Sequence, residues 1–259
     1  MRILLRAIIG VGAAVAALAV VGVANANHSW SNYHWARTAN PFRLQVVDSV
    51  TTAWQGEYNT ALSEWGASSV IDLVTSSADD SNRTRRQCRA VAGRMRVCND
   101  AYGQNGWLGL ATIGLDNRGH IDRGTAKMND SYASYWTIPG EKRHVMCQEI
   151  GHVFGLTHTS EDGTTQNTCM DYSQSITSQS PNAHDYAQLE TIYAHVDTYN
   201  SFVTSGAAAA QANVGELPAG VPLGALMVHT NRFEDVYVAS RPDGGHWVFH
   251  VRIAPEGAR

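Results

Sequence analysis

The sequence Cys-Gln-Glu-Ile-Gly-His-Val-Phe-Gly-Leu-Thr-His, residues 147–158, decides how this chain is interpreted. Gln148 and His152 are four residues apart, so in a helix both side chains lie on one face. Gly155 is placed to end that helix and to let the chain turn back, which brings His158 towards His152. A catalytic zinc ion needs three protein ligands and an open position for water. The spacing therefore predicts a metal site held by Gln148, His152 and His158.

Glu149 adds a base to the predicted site. Its carboxylate follows the first ligand position, from which it can be aimed at a metal-bound water. From Glu149 to His158 the sequence resembles HExxHxxGxxH, the long motif of the metzincin zinc peptidases. Every fixed position matches except the first, where Gln148 stands in place of histidine.

Two other segments resemble metzincin features. Met170 and Tyr172 are similar to the Met-turn, and in astacin- and serralysin-like members this tyrosine lies near the zinc. The resemblance implies that Met170 supports the metal site, and that Tyr172 ligates metal or donates a hydrogen bond to the tetrahedral intermediate. The hairpin before the predicted helix resembles the matrixin arrangement, in which an edge strand pairs with an extended substrate. Its counterpart lies in residues 107–112 and includes Trp107, Leu108, Gly109 and Leu110.

The resemblance implies a fold as well as an activity. The expected fold is α+β: a twisted, mostly parallel sheet with an antiparallel edge strand, an active-site helix, a C-terminal helix and a small β-rich tail. The expected activity is hydrolysis of peptide bonds by a zinc-activated water, with Glu149 as the general base and Tyr172 as a further catalytic residue. One catalytic Zn²⁺ is the expected cofactor, and a protein or peptide is the expected substrate of a monomeric chain.

Gln148 leaves three interpretations open. Its amide oxygen can bind zinc, more weakly than imidazole does. Alternatively, His152, His158 and another group such as Tyr172 hold the metal. In the third interpretation the site is degenerate, and the chain is an inactive metzincin-like secreted binding protein. A small cell-surface adhesion domain with incidental histidines is a more distant rival.

The N-terminus and the net charge indicate the compartment and exclude one class of partner. Arg2 and Arg6 precede the uncharged run Ala7–Val23, and Ala24-Asn25-Ala26 provides small residues for cleavage. This layout predicts a signal peptide over residues 1–26 and a secreted protein, with no membrane contact beyond that peptide. The formal net charge of −4 argues against nucleic-acid binding.

Four cysteines in an oxidising compartment predict two disulfides. Cys88–Cys98 and Cys147–Cys169 are the preferred pairs, because each closes a short loop. The second pair would join the metal-binding helix to the segment that carries Met170 and make the site rigid.

Hydrophobic patterning divides the rest of the chain. Residues 27–200 are expected to form the catalytic domain, 201–222 an Ala-, Gly- and Pro-rich linker, and 223–259 a small β-rich tail of unknown role. Within the domain, strands are predicted near residues 42–47, 70–75, 88–98, 106–113 and 121–128, and helices over 49–66, 141–154 and 181–197. Residues 76–86 are predicted to be a loop.

Overall fold

The computed structural model describes residues 28–203 and 221–258. The predicted signal peptide over residues 1–26 therefore lies outside the described residues, as does most of the predicted linker. Within the described ranges, none of the helices combines the length and the apolar character that crossing a membrane requires.

The secondary structure follows the predicted order. The strands are β1 (Phe42–Ser49), β2 (Ile71–Ala78), β3 (Met95–Asp100), β4 (Trp107–Leu115), β5 (Ile121–Asn129), β6 (Leu226–Thr230), β7 (Glu234–Ser240) and β8 (His246–Ile253). The helices are α1 (Gln55–Trp65), α2 (Asn82–Gln87), α3 (Glu141–Val153) and α4 (Ala183–Ile192).

Several predicted bounds differ from the structure. The strand predicted near residues 88–98 begins only at Met95, and the helix predicted over 49–66 begins only at Gln55. The polar segment 76–86 is not all loop, because β2 continues to Ala78 and α2 begins at Asn82. The hydroxyl of Ser81 caps α2 by accepting a hydrogen bond from the Thr84 amide. Helix α4 is also shorter than the predicted 181–197, since it ends at Ile192, and Val196 lies beyond its end with a relative exposure of 61%.

The eight strands form one mixed sheet in the order β2-β1-β3-β5-β4-β8-β7-β6. Strands β2, β1, β3 and β5 are mutually parallel, and β4 is antiparallel to β5. This half matches the expected parallel sheet with an antiparallel strand. However, β4 is not at the edge, because β8 pairs with it along its length, from Trp107 opposite Ile253 to Leu115 opposite His246.

The C-terminal segment is part of this sheet rather than an appendage. Strands β8, β7 and β6 add three antiparallel strands to the expected five. In β8, alternate side chains face opposite sides of the sheet. Trp247 and Phe249 pack in one apolar cluster, whereas Val248 joins the main core, on the side of the sheet that holds α3. His250 follows Val248 on that same side.

The main core lies between the sheet and helices α1 and α3. Trp65 of α1 is fully buried and donates a hydrogen bond from Nε1 to the carbonyl oxygen of Cys147 in α3, at 3.0 Å. Both predicted disulfides are confirmed. Cys88 is bonded to Cys98, and Cys147 is bonded to Cys169. Helix α3 is thus fixed to the core by a tryptophan of α1 and by a disulfide.

Candidate metal centre

Helix α3 places the predicted metal-binding residues against the sheet. The helix runs to Val153, and Gly155 follows with φ +94°, a left-handed conformation that favours glycine. A Cβ atom at Gly155 would also lie 3.2 Å from the carbonyl carbon of Tyr33. The predicted helix end is therefore confirmed, and the chain turns back there so that the His158 ring lies 4.6 Å from the His152 ring, centroid to centroid.

A third histidine, from the C-terminal segment, completes this group. His250 on β8 stacks on His152 with 4.4 Å between ring centroids and 13° between ring planes. Donor atoms of His152, His250 and Glu234 all lie within 4.8 Å of one another. All three side chains are buried, as is His158. The structure thus brings two residues from the predicted helix and turn together with two from the tail.

Each of the three imidazoles is held through its Nδ1 atom. That of His152 lies 2.9 Å from the Leu156 carbonyl oxygen, and that of His250 lies 3.1 Å from Oε1 of Glu234. That of His158 lies 2.7 Å from the Tyr172 hydroxyl. Among the described residues, the Nε2 atoms of His158 and His250 are buried and have no hydrogen-bond partner.

Glu234 lies between His158 and His250. Its Oε2 atom lies 3.3 Å from Nδ1 of His158 and accepts a hydrogen bond from the Tyr172 hydroxyl at 2.9 Å. Burial alone would raise the pKa of Glu234, but His158 and His250 outweigh burial and hold this pKa well below its usual value. An ionised Glu234 can therefore accept Nδ1–H from both rings and direct their Nε2 atoms elsewhere.

Glu149 lies on helix α3, next to Gln148, and is fully buried. Among the described residues, neither of its carboxyl oxygens makes a regular hydrogen bond, although the Ala111 backbone amide lies close enough to act on it. Burial raises the pKa of Glu149 well above its ordinary value, Arg252 lowers it in part, and the charge of Glu234 adds to the increase. A buried carboxyl with a raised pKa and unused oxygens is typical of a general acid or base.

Gln148, which was predicted to be a metal ligand, makes hydrogen bonds to protein groups in this structure. Its Nε2 atom donates hydrogen bonds to the carbonyl oxygens of Cys169 at 3.0 Å and Asp171 at 2.8 Å. Its amide oxygen accepts a hydrogen bond from Arg252 of β8. The oxygen that was expected to bind zinc therefore already has a charged partner.

Met170 lies beneath α3 as a packing residue. It is fully buried, and its sulfur is so close to the helix that a Cβ atom at Gly151 would lie 2.5 Å from it. The adjacent Cys169 is bonded to Cys147, one residue before Gln148. The segment carrying Met170 and Tyr172 is thus attached to the helix at two neighbouring points.

The predicted substrate edge strand is wrong, because its backbone is already paired. Residues Trp107, Leu108, Gly109 and Leu110 lie in β4 between β5 and β8, so no free edge remains for a peptide. Instead, a cleft of about 770 Å³ opens beside the centre, where Tyr135, Tyr172, Gln174 and Arg252 contribute to its wall.

Sequence reasoning missed Glu234, His250 and Arg252. The available signal was alternation: Val248, His250 and Arg252 share one face of a predicted strand, and an imidazole and a guanidinium on a core-facing stripe require buried partners. His144 of α3 is buried, and its Nε2 atom lies 3.0 Å from the Asp171 carbonyl oxygen.

Comparison with known proteins gives little further information. No protein-family model and no curated protein matches the chain. Among solved structures, the chain is similar to archaemetzincin (AmzA) from Archaeoglobus fulgidus complexed with malonate, at 17% identity and a TM-score of 0.31. That alignment covers 57% of this chain and 99% of the other.

Proposed function

We propose that this chain is a zinc-dependent endopeptidase that hydrolyses protein or peptide substrates. The observation that carries the proposal is the hydrogen bonding of three buried imidazoles, those of His152, His158 and His250. Protein groups engage each Nδ1 atom, and the Nε2 atoms of His158 and His250 are buried without a partner among the described residues. Leaving a buried polar atom unpaired costs about 1–3 kcal/mol, so an ion bound there would stabilise the fold.

The proposed zinc ligands are His152, His158 and His250, with Glu234 orienting the last two. This set has the imidazole chemistry that zinc prefers, and a carboxylate behind the ligands is common in zinc sites. His250 thus takes the place that the sequence assigned to Gln148. One bound zinc ion would supply acidification of a water molecule and polarisation of the scissile carbonyl.

Glu149 is the proposed general base. It would accept a proton from the attacking water and later donate it to the leaving amine. Its burial supports this role, because a carboxyl whose pKa is raised retains an accepted proton more readily than an exposed carboxylate does. Gly109 provides the space, since a Cβ atom at that position would lie 2.7 Å from the Glu149 carboxyl carbon.

Tyr172 is the proposed hydrogen-bond donor to the developing oxyanion. Its hydroxyl faces the centre but donates to Glu234 in this structure, and its ring forms part of the cleft wall. A substrate that enters through the cleft would contact Tyr172. The hydroxyl would then exchange Glu234 for the substrate oxygen.

A second candidate function is a secreted binding protein that uses the metal only for stability. The observation in its favour is burial: Glu149, His152, Glu234 and His250 are all less than 5% exposed. Structural zinc sites are closed by protein ligands, whereas catalytic sites keep one open position. The two candidates therefore differ in whether β7 and β8 leave room for substrate.

The deciding experiment compares the purified chain with Glu149→Gln. We expect one zinc ion at this centre in both proteins and cleavage of casein or gelatin by the unchanged chain alone. Glu190→Gln is the matched control, because Glu190 is an exposed glutamate on α4. Zinc bound here without cleavage by any of the proteins would favour the binding protein. Absence of zinc from this centre would overturn both candidates.

We also propose that the chain is secreted as a monomer. The two disulfides support an oxidising compartment. N-terminal sequencing of protein recovered from the medium should begin at Asn27, and light scattering should give the mass of one chain. An N-terminus at Met1 on cell-associated protein would contradict secretion.

A further inference from the structure

A second cluster of histidines lies outside the centre described above, where three distant segments meet. His34 precedes β1, His120 lies between the β4–β5 turn and β5, and His195 and Asp197 follow α4. Donor atoms of His34, His195 and Asp197 all lie within 4.8 Å of one another. His120 joins them, with Nε2 at 3.3 Å from Oδ1 of Asp197.

We propose that His34, His120, His195 and Asp197 form a second metal site, which binds Zn²⁺ or a similar transition-metal ion. The Nε2 atoms of His34 and His195 lie 3.2 Å apart, and that of His195 lies 3.7 Å from Oδ1 of Asp197. The Nε2 atoms of His120 and His195 therefore converge on Oδ1 of Asp197, and that of His34 lies 3.4 Å from Oδ2 of the same carboxylate. Three nitrogen donors and one oxygen donor match a closed tetrahedral zinc site.

The atoms behind these donors are arranged as in metal sites. The Nδ1 atom of His34 is hydrogen-bonded to the carbonyl oxygen of Asn32. That of His120 lies 2.8 Å from the hydroxyl of Tyr199. A ligating histidine is usually held through its other ring nitrogen, because this fixes its tautomer and its orientation.

Arg37 holds Asp197 from the opposite side. Its backbone amide and its Nη1 atom donate to Oδ2 at 3.1 and 2.9 Å, which leaves Oδ1 facing His120 and His195. The guanidinium also offsets the charge of the carboxylate, so a hard cation that depends on oxygen ligands gains little here. The donor set therefore favours zinc and other imidazole-binding metals over calcium or magnesium.

The second site has a route to solvent and a structural purpose. The side chain of His195 is 55% exposed, whereas His34 is only 6% exposed, so an ion can enter past His195 and bind against a buried wall. The bound ion would connect the segment before β1, the β4–β5 hairpin and the segment after α4. It would thereby stabilise the folded chain by mass action.

The test measures zinc binding to the metal-free full chain by equilibrium dialysis and by calorimetry. His195→Asn removes an exposed ligand, so we expect the affinity for one of the bound zinc ions to fall by at least about tenfold. His120→Gln combined with His195→Asn is expected to abolish binding of that ion. His246→Asn is the matched control, because His246 is an exposed histidine at the start of β8 and belongs to neither cluster.

The outcome does not depend on the proposed peptidase activity. If both centres bind zinc, the unchanged chain holds two ions and the double variant holds one. If the first centre binds no zinc, the unchanged chain holds one ion and the double variant holds none. Cobalt bound to the remaining site should show the visible absorption of a tetrahedral ion in His152→Ala, and lose it when His195→Asn is added. Equal zinc affinity and stoichiometry in the unchanged chain, His195→Asn and the double variant would overturn the second site.

Discussion

The guanidinium of Arg252 on β8 donates a hydrogen bond to the amide oxygen of Gln148 on α3, across 104 positions of sequence. This contact joins the residue that departs from the expected zinc motif to the strand that carries His250. An imidazole at position 148 would have no hydrogen-bonding need for a guanidinium, whereas an amide oxygen accepts from one well. Gln148 and β8 therefore belong to one arrangement.

The first prediction concerns which residue is the third zinc ligand. We expect His250→Ala to weaken zinc binding at this centre by at least about 10–100-fold, since loss of even a supporting group costs that much. His246→Ala, on the same strand but exposed, should leave the affinity unchanged. Calorimetric titration of metal-free protein provides the measurement.

Adding Gln148→His makes this prediction sharper. Alone, this change should bring little gain in affinity, because His250 already supplies the third imidazole. In the His250→Ala chain it should restore binding, because positions 148 and 152 lie on one helix face. A large gain from Gln148→His alone, together with no loss in His250→Ala, would show that position 148 is the ligand position after all.

The second prediction concerns the space that Gly109 leaves for Glu149. In Gly109→Ala, the new Cβ atom would lie 2.7 Å from the Glu149 carboxyl carbon and 2.8 Å from Cγ1 of Val145. The carboxylate must therefore move, and displacement of a catalytic group by about 1 Å can cost about 100-fold in rate. We expect casein cleavage to fall by about that factor with zinc content unchanged.

Gly56→Ala is the control for this substitution. Gly56 lies in α1, and a Cβ atom there would meet nothing within 4 Å. The alanine should stabilise the helix by about 0.5–1 kcal/mol and leave the cleavage rate as it is. Full activity in Gly109→Ala would mean that Glu149 does not act from its position against β4.

The third prediction follows from a buried lysine. Lys127 on β5 is 1% exposed and is paired across the sheet with Leu110, a member of an apolar cluster. Burial lowers the pKa of Lys127 from 10.5 to about 8. The unfolded chain therefore binds this proton more tightly than the folded chain does. The resulting loss in the free energy of unfolding is fully present below about pH 8. That cost disappears as pH rises from about 8 to about 10.5.

Lys127→Met should remove this cost. We expect it to stabilise the metal-free protein at pH 7 by up to about 3 kcal/mol, with an advantage that shrinks between pH 8 and 10.5. Urea unfolding at several pH values measures this difference in the free energy of unfolding. Lys142→Met is the control, because the Lys142 side chain is partly exposed. Destabilisation by Lys127→Met at pH 7 would show that the ammonium group has favourable contacts that exceed its burial cost.

Local sequence was enough to predict much of helix α3 and the turn that follows it. Helix α3, the turn at Gly155 and the approach of His158 to His152 all depend on spacings within twelve residues. The disulfides were predictable for a similar reason, since each pair closes a short loop. Periodicity also located the strands of the parallel half of the sheet.

The contribution of the C-terminal segment was not predictable in this way. Alternation identified β8 as a strand, but no local pattern indicates which strand it pairs with. The presence of His250 and Glu234 at the centre depends on β8 lying between β4 and β7, a relation between residues more than a hundred positions apart. For the same reason the hypothesis of a free substrate strand at β4 was wrong.

The position of β8 also has a consequence for how the chain folds. Until residue 246 has been synthesised, β4 has no partner on one side and presents a row of unsatisfied backbone groups. Such an edge can pair with the same strand of another nascent chain. The sheet must also wait for a contact of high sequence separation, which slows folding. Early termination of translation before His246 should therefore yield aggregates rather than a smaller folded protein.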